Sequence, residues 1–214
     1  MKLSKRLETI AEMVDSSYHV IDVGCDHAFL DIYLTMKGIN CTAIDNKESV
    51  LKYSKKNIDE NGLSSKIELL CNEGLENIKI NDNDLVILAG LGTNTILKII
   101  NGKNIKQMIV QSNDDIYNLR LKLSKKGYKI VDEQIIYEKK YYTIMKLVKG
   151  KTNYNHSQLK YGPILLQKKS KVFVNYLEHR IEYLRGLLNT IPNKFLFKKM
   201  SVLIEISRIK AILK

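Results

Sequence analysis

The sequence predicts an α/β protein whose sheet is mostly parallel and doubly wound, and three observations carry that prediction. Residues 19–30, His-Val-Ile-Asp-Val-Gly-Cys-Asp-His-Ala-Phe-Leu, pass from a β-branched run through an acid-and-glycine turn into a helical pattern that reaches Met36. Apolar strand-like runs alternate with helical patterns as far as Gly127. Acids also close successive strands, at Asp22, Asp45 and Glu73. Strand, glycine turn and helix form the unit from which an open parallel sheet builds a nucleotide-sized crevice at its carboxyl edge.

Taken in order, residues 3–14 predict an amphipathic helix, with Leu3, Leu7, Ile10, Ala11 and Val14 on one face. The first strand spans 19–24 and its helix follows. Residues 40–45 give a second strand, and 47–61 a helix that Gly62 stops. The third strand, 66–72, ends at Glu73-Gly74. The fourth, 84–90, is a continuous apolar run suited to a central parallel strand. A short helix reaches Ile100, a fifth strand spans 106–110, and another helix runs to Gly127. Two strand-like segments, 128–137 and 141–148, are then consecutive and require an antiparallel turn through 138–140. The sum is a seven-stranded sheet with an antiparallel edge hairpin, the layout of the Rossmann-like class I methyltransferases.

Beyond Gly150 the pattern changes, which divides the chain into an expected sheet domain, 1–150, and a helical domain, 151–214. Residues 151–162 are polar with turn formers, and Pro163 opens a helical stretch. Val174, Leu177, Ile181, Leu184, Leu188 and Ile191 step by three and four, and Val202, Ile206, Ile209 and Leu213 make a second seam past a turn at Pro192. So few heptads fit an antiparallel hairpin closed on itself or onto the domain, with Arg180, Arg185, Lys194, Lys198, Lys199, Arg208 and Lys210 on its outer faces.

The chain of 214 residues has 44% hydrophobic content, which places it among globular proteins. No apolar run approaches the roughly 18 residues of a membrane span, and the charged, amphipathic start argues against a signal peptide. Cys25, Cys41 and Cys71 are odd in number and sit in or beside strand-like runs, so buried free thiols in a reducing cytoplasm are expected. No Cys/His cluster has metal-ligand spacing, and the reading is of a monomer without metal. Residues 151–214 hold 13 lysines and arginines against 3 acids, a charge of +10 out of the chain's +12. A basic extension on a nearly neutral domain fits a phosphate-backbone contact surface, although a solvated lysine-rich hairpin has the same composition.

The acids indicate the ligand. A dinucleotide fingerprint requires glycine where this chain has Asp26 and Ala28, and Asp22 and Asp26 would repel a pyrophosphate at short range. They suit S-adenosylmethionine (SAM), which offers a sulfonium, an ammonium and ribose hydroxyls and carries no phosphate. Asp45 lies 21 residues after Gly24, close to the roughly 20 at which a carboxylate meets ribose hydroxyls in doubly wound nucleotide sites.

Leu3-Ser-Lys-Arg-Leu7, the turn Asp22-Val-Gly-Cys-Asp-His-Ala-Phe-Leu30, Glu73-Gly-Leu-Glu76, Ala89-Gly-Leu-Gly92 and Val110-Gln-Ser-Asn113 together resemble the bacterial TrmK family along the whole chain. The resemblance implies a SAM-dependent tRNA (adenine-N1)-methyltransferase acting at position 22. The chain departs from that family where Gly90-Leu-Gly-Thr93 replaces Gly-Met-Gly-Gly and Val110-Gln-Ser-Asn113 replaces Leu-Gln-Pro-Asn. The pocket edge is expected to be shaped differently there, with polar Gln111 and Asn113 retained.

Roles follow from the chemistry together with the resemblance. Gly24 would let the methionine portion approach, Asp22 or Asp26 would accept from its ammonium, and His27 would adjoin it. Asp45 would bind the ribose, Asn46 would pack beside the adenine, and Glu73 and Gly74 would hold the adenine edge. Ala89, Gly90 and Leu91 would floor the sulfonium. Adenine N1 already carries a lone pair, so the step needs alignment more than a base; Asn113 would orient the target and Asp26 would face the charge that develops. Phe29 would stack on a flipped base or else belong to the core, and Arg180, Arg185, Lys198 and Lys199 would hold tRNA phosphates. Two other readings stay open, a non-catalytic RNA-binding protein of the same fold and a small-molecule methyltransferase.

Overall fold

The computed structural model describes residues 2–214. Its elements run α1 (Lys5–Glu12), β1 (His19–Val23), α2 (Phe29–Met36), β2 (Cys41–Asp45), α3 (Glu48–Glu60), β3 (Ile67–Cys71), β4 (Asp84–Leu91), α4 (Thr93–Ile99), β5 (Gln107–Ser112), α5 (Ile116–Lys125), β6 (Tyr128–Glu138), β7 (Lys140–Lys149), α6 (His156–Tyr161), α7 (Pro163–Lys168), α8 (Lys171–Thr190) and α9 (Leu196–Leu213). The chain forms two compact units, one ending at Ile164 and the other Leu165–Lys214. Residues 151–164, expected with the second unit, belong to the first.

One seven-stranded sheet has the order β3-β2-β1-β4-β5-β7-β6. β1 to β5 pair in parallel and β7 is antiparallel to both of its neighbours. The reason is local. Both hairpin strands run further than the sequence suggests and leave only Lys139 between them, at φ +63°. β7 then inserts between β5 and β6, so the reversed strand lies one place in from the edge. The strand order reverses between β1 and β4, and ligand crevices open at such switch points.

Alternation along the strands sends side chains to two covered faces. Val20, Leu85, Ile87 and Ile109 pack with Ile10 of α1 and Leu34 of α2 on one face. Ile21, Val86, Leu88 and Val110 pack with Ile96 of α4 and with Leu119 and Leu123 of α5 on the other. α3 lays Leu51 and Ile58 against Ala43 and Ile67. The helix expected at 3–14 is shorter because Ser4, in extended conformation, caps it by accepting from the Leu7 N–H. Leu3 and Val14 still pack against the same cluster. Cys25 and Cys41 are buried as expected. Cys71 is exposed, because β3 is an edge strand.

The polar stretch 151–162 is not simply a turn region. Asn155 and Gln158 form a capping box that starts α6. Its end is tied to a buried ion pair: Arg120 Nε and Nη2 bind Glu133 Oε1 at 2.9 and 2.8 Å, and Arg120 Nη1 donates to the Leu159 carbonyl. Glu133 Oε2 accepts from the Ile164 N–H, and Gly162, at φ +96°, lies so close that a Cβ there would overlap this carboxylate.

In the second unit α8 and α9 fold back on each other around 191–195. Leu177, Ile181, Leu184, Val202, Ile206 and Ile209 are buried, as the seams predict. Arg180 of α8 pairs with Glu205 of α9 at 3.1 Å. The outer face of α9 is less polar than expected: Leu196, Phe197, Met200 and Leu203 are all exposed there.

Candidate active site

The carboxyl ends of β1, β2 and β4 and the segment after β3 surround a cavity of about 560 Å³. Gly24, Asp26, Asp45, Asn46, Glu73, Gly74 and Leu91 all line it, so the structure brings together most of the proposed cofactor residues. A second recess of about 60 Å³ shares Gly24 and Asp26 with the cavity and adds Asp22, His27, Phe29 and Ala89. Asp26 is common to both spaces, at φ +49° with its side chain largely in solvent. Gly24 has φ +84°, and a Cβ there would sit 3.4 Å from the Leu91 side chain. Only glycine takes that conformation cheaply and leaves the backbone open to a ligand.

The loop after β1 is held from behind. The Ser54 hydroxyl, from α3, donates to the Asp26 carbonyl, and Asn57 Nδ2 donates to the His27 carbonyl at 2.9 Å. α2 has no side-chain cap; Ala28 takes a left-handed conformation instead. The acids after β1 are therefore free of capping duty. Asp45 Oδ1 accepts from the Lys47 N–H at 3.0 Å. Asn46 Nδ2 donates to Glu73 Oε2 at 2.9 Å, and that bond, with Lys98 nearby, holds the Glu73 carboxyl below its usual range. Burial does the opposite at Asp22, whose carboxyl is pushed up to about 7 against the pull of Arg6. Burial also raises the thiols of Cys25 and Cys41, with neighbouring carboxylates adding to it, which makes them inert as nucleophiles.

Gln111 and Asn113 are not among the residues lining either space; Gln111 is fully buried, and both are bonded to Gly90. Gln111 Oε1 accepts from Arg6 Nη1 at 3.0 Å and from the Gly90 N–H at 3.1 Å. Its Nε2 donates to the Ser112 carbonyl at 2.8 Å and to Asn113 Oδ1 at 3.2 Å. Asn113 Nδ2 donates to the Gly90 carbonyl at 2.7 Å. Gly90 and Asn113 are thus fixed to each other beside Ala89 and Leu91. Phe29 is 42% exposed and tilts against His27, ring centroids 5.5 Å apart, so it is not a core residue. Arg185 and Lys198 are exposed in the second unit, Lys199 is half-buried, and Arg180 is committed to Glu205.

Residue-by-residue reading of the sequence missed Arg6, Gln111 as a keystone, Lys98 and Thr95. Arg6 lies inside the Leu3–Leu7 motif and lines the recess. Its signal was masked by the amphipathic pattern of its helix.

The two departures from the resembled pattern touch each other. Thr93 Oγ1 and Ser112 Oγ are 2.9 Å apart, and Asp114 accepts from the Thr93 N–H at 2.7 Å and from Ser112 Oγ at 3.1 Å. A Thr93→Val, Ser112→Ala double-mutant cycle in urea is expected to show a coupling of about 1 kcal/mol. Strictly additive losses would mean that the two hydroxyls do not support one another.

The geometry can now be set beside known proteins. Residues 3–145 match the family described as "Methyltransferase domain". The tRNA (adenine(22)-N(1))-methyltransferase of Bacillus subtilis is 28% identical over 205 residues, covering 89% of this chain and 86% of that protein. A Streptococcus pneumoniae structure, of a protein proposed to be a tRNA (m1A22) methyltransferase, is 31% identical with a TM-score of 0.93 over the whole of both chains. M. capricolum TrmK, solved with S-adenosyl-homocysteine (SAH), is 30% identical with a TM-score of 0.86, again over the whole of both chains. With a sheet, a glycine turn and a crevice of this form in place, the chain belongs to the methyltransferase-domain family and, within it, to the TrmK family.

Proposed function

We propose that the protein is a SAM-dependent tRNA (adenine-N1)-methyltransferase acting at position 22, and that the cavity and recess meeting at Gly24 and Asp26 are its cofactor and target-base sites. The observation that carries the reading is the donor set of the cavity: carboxylates at the ends of β1 and β2 and after β3, around a glycine without a Cβ, with no phosphate fingerprint. That set fits SAM. Asp45 would take the ribose hydroxyls, Asn46 and Glu73 the adenine edge with Gly74, and Asp22 or Asp26 the ammonium, near His27. When bound, SAM supplies an electrophilic methyl group on its sulfonium.

The chain's own work is alignment. Ala89, Gly90 and Leu91 form a floor whose backbone is fixed by Gln111, and Asn113 stands against it where a base edge would enter. Phe29, exposed at the recess, offers a ring for an unstacked adenine. Asp26 is a carboxylate facing both spaces, where it can stabilise the positive charge that a methylated N1 confers on the ring. No group needs to remove a proton before the attack.

The tRNA would be held largely by charge. Arg185 and Lys198 are exposed and Lys199 half-buried in the second unit, where Phe197 is 93% exposed, and exposed cations and an exposed ring suit phosphates and unstacked bases. Arg180 contributes less, since Glu205 already holds it. Tyr137 and Tyr141, ring centroids 4.9 Å apart at the β6–β7 tip beside Lys139 and Lys140, extend this chemistry on the first unit. The hairpin buries its own seam, which supports action as a monomer. Among the described residues no helix is long and apolar enough to cross a membrane, and with two inert thiols this supports action on tRNA in the cytoplasm.

The test is transfer of labelled methyl from SAM to unmodified tRNA, followed by nucleoside analysis, with Asp45→Ala in parallel. N1-methyladenosine from the wild type, reduced at least about tenfold in the variant, is the expected result. SAM binding without tRNA methylation would move the assignment to another acceptor. No SAM binding would leave an RNA-binding protein.

A further inference from the structure

Asp31 lies in the first turn of α2 and is completely buried. Apart from its own backbone N–H, neither of its carboxyl oxygens has an N–H or O–H donor. An ionised carboxylate left that way is very costly, so it is kept neutral or finds a partner. The side chain within hydrogen-bonding reach is the carboxyl of Asp22, which lines the recess. Two carboxylates would repel each other, whereas an acid and a carboxylate form a strong charge-assisted bond. Burial and the Asp22 charge both hold Asp31 in its protonated form, while Arg6 draws Asp22 towards ionisation.

The surroundings are consistent with one shared proton. Arg6 faces the pair from α1 and Asp45 from β2. The thiols of Cys25 and Cys41 lie near Asp31 and are uncharged. In the sheet, Asp22 is flanked by Ala43 of β2 and Ile87 of β4, neither of which titrates.

We propose that Asp31 is a positioning residue of the cofactor site: its carboxylic acid donates to Asp22, so that the pair presents a single, oriented negative charge to the ammonium of the SAM methionine portion. The assignment rests on the cofactor reading above. It makes Asp31 the group that decides which way the Asp22 carboxylate points and at what pH it exists. Below neutrality the pair holds two protons and offers no charge; above it, Asp22 is ionised and Asp31 is not. Cofactor affinity therefore rises with pH through the neutral range.

Calorimetric titration with SAH from pH about 6 to about 8 tests this on the intact chain, with Asp31→Asn and Asp31→Leu. The wild type should bind more tightly as pH rises. Asp31→Asn keeps a neutral donor and should stay within about threefold of wild type with the same midpoint. Asp31→Leu removes the donor, so Asp22 is harder to ionise: binding near pH 7 should weaken roughly tenfold and the midpoint should move up. Its melting temperature should fall by several degrees, because the buried Asp22 carboxyl is left without its donor. A merely structural role would not move the midpoint. Asp31→Leu with wild-type affinity and an unmoved profile overturns the proposal, as does Asp31→Asn weakened as much as Asp31→Leu. Absence of SAH binding by the wild type at every pH overturns the cofactor reading and the assignment with it.

Discussion

Replacing Glu133 with alanine is expected to destabilise the sheet unit by about 3–5 kcal/mol, the usual cost of leaving a buried charge without its partner. Arg120 is 2% exposed and Glu133 not at all. With the carboxylate gone, the guanidinium keeps only the carbonyls of Leu159 and Lys160, and the Ile164 N–H loses an acceptor. For a chain of this length each kcal/mol moves the melting temperature by about 2–4 °C, so a fall of roughly 10 °C is expected by calorimetry. Arg120→Met combined with Glu133→Leu should recover most of it, because neither charge is then buried. An unchanged melting temperature in Glu133→Ala, or a double variant as unstable as the single one, would show that the pair is not what anchors residues 155–164.

Gln111→Leu should lower kcat for methyl transfer about 100-fold while changing SAM affinity by no more than about threefold. Leucine is close in volume, so packing survives. What disappears is a four-bond hub: the acceptor for Arg6 and for the Gly90 N–H, and the donor to the Ser112 carbonyl and to Asn113. The Asn113 side chain then keeps only its bond to the Gly90 carbonyl, and the Gly90 N–H loses its acceptor, so both are held less firmly. Loosening by about an ångström is enough for the expected loss when a reaction depends on alignment rather than on a base. Gln111→Glu should not rescue it, since its second oxygen would face the Ser112 carbonyl and Asn113 Oδ1 with no donor. Single-turnover rates set beside calorimetric SAH affinities separate the two quantities. Equal losses in affinity and kcat would mean that Gln111 supports cofactor binding instead.

Local chemistry explains why so much of the fold was legible. The run 84–90 had to be a central strand because both of its faces are apolar. The turn after β1 was legible because Gly24 stands at φ +84°, where other residues are strained. Asp45 and Glu73 reach one cavity with Asp26, and Asp22 the adjoining recess, because three parallel strands end on the same side, which follows from the topology once the strands are known. The capping box at Asn155 and Gln158 was also readable and marks the start of α6, within a stretch that composition alone presents as a turn region.

The sequence by itself determined the class of the sheet, the crevice at its carboxyl edge, the acids that line it and the two seams of the C-terminal hairpin, because periodicity, glycine turns and strand-end residues act through near neighbours. Only the tertiary structure decided that Arg6 reaches Gln111, that Thr93 meets Ser112, that Arg120 is neutralised by Glu133 and that Asp31 lies buried against Asp22. Arg6 and Gln111 stand 105 positions apart. Partners so distant are chosen by how helices settle on the two faces of the sheet, and the protonation of a buried acid is set by the low-dielectric space that this packing creates.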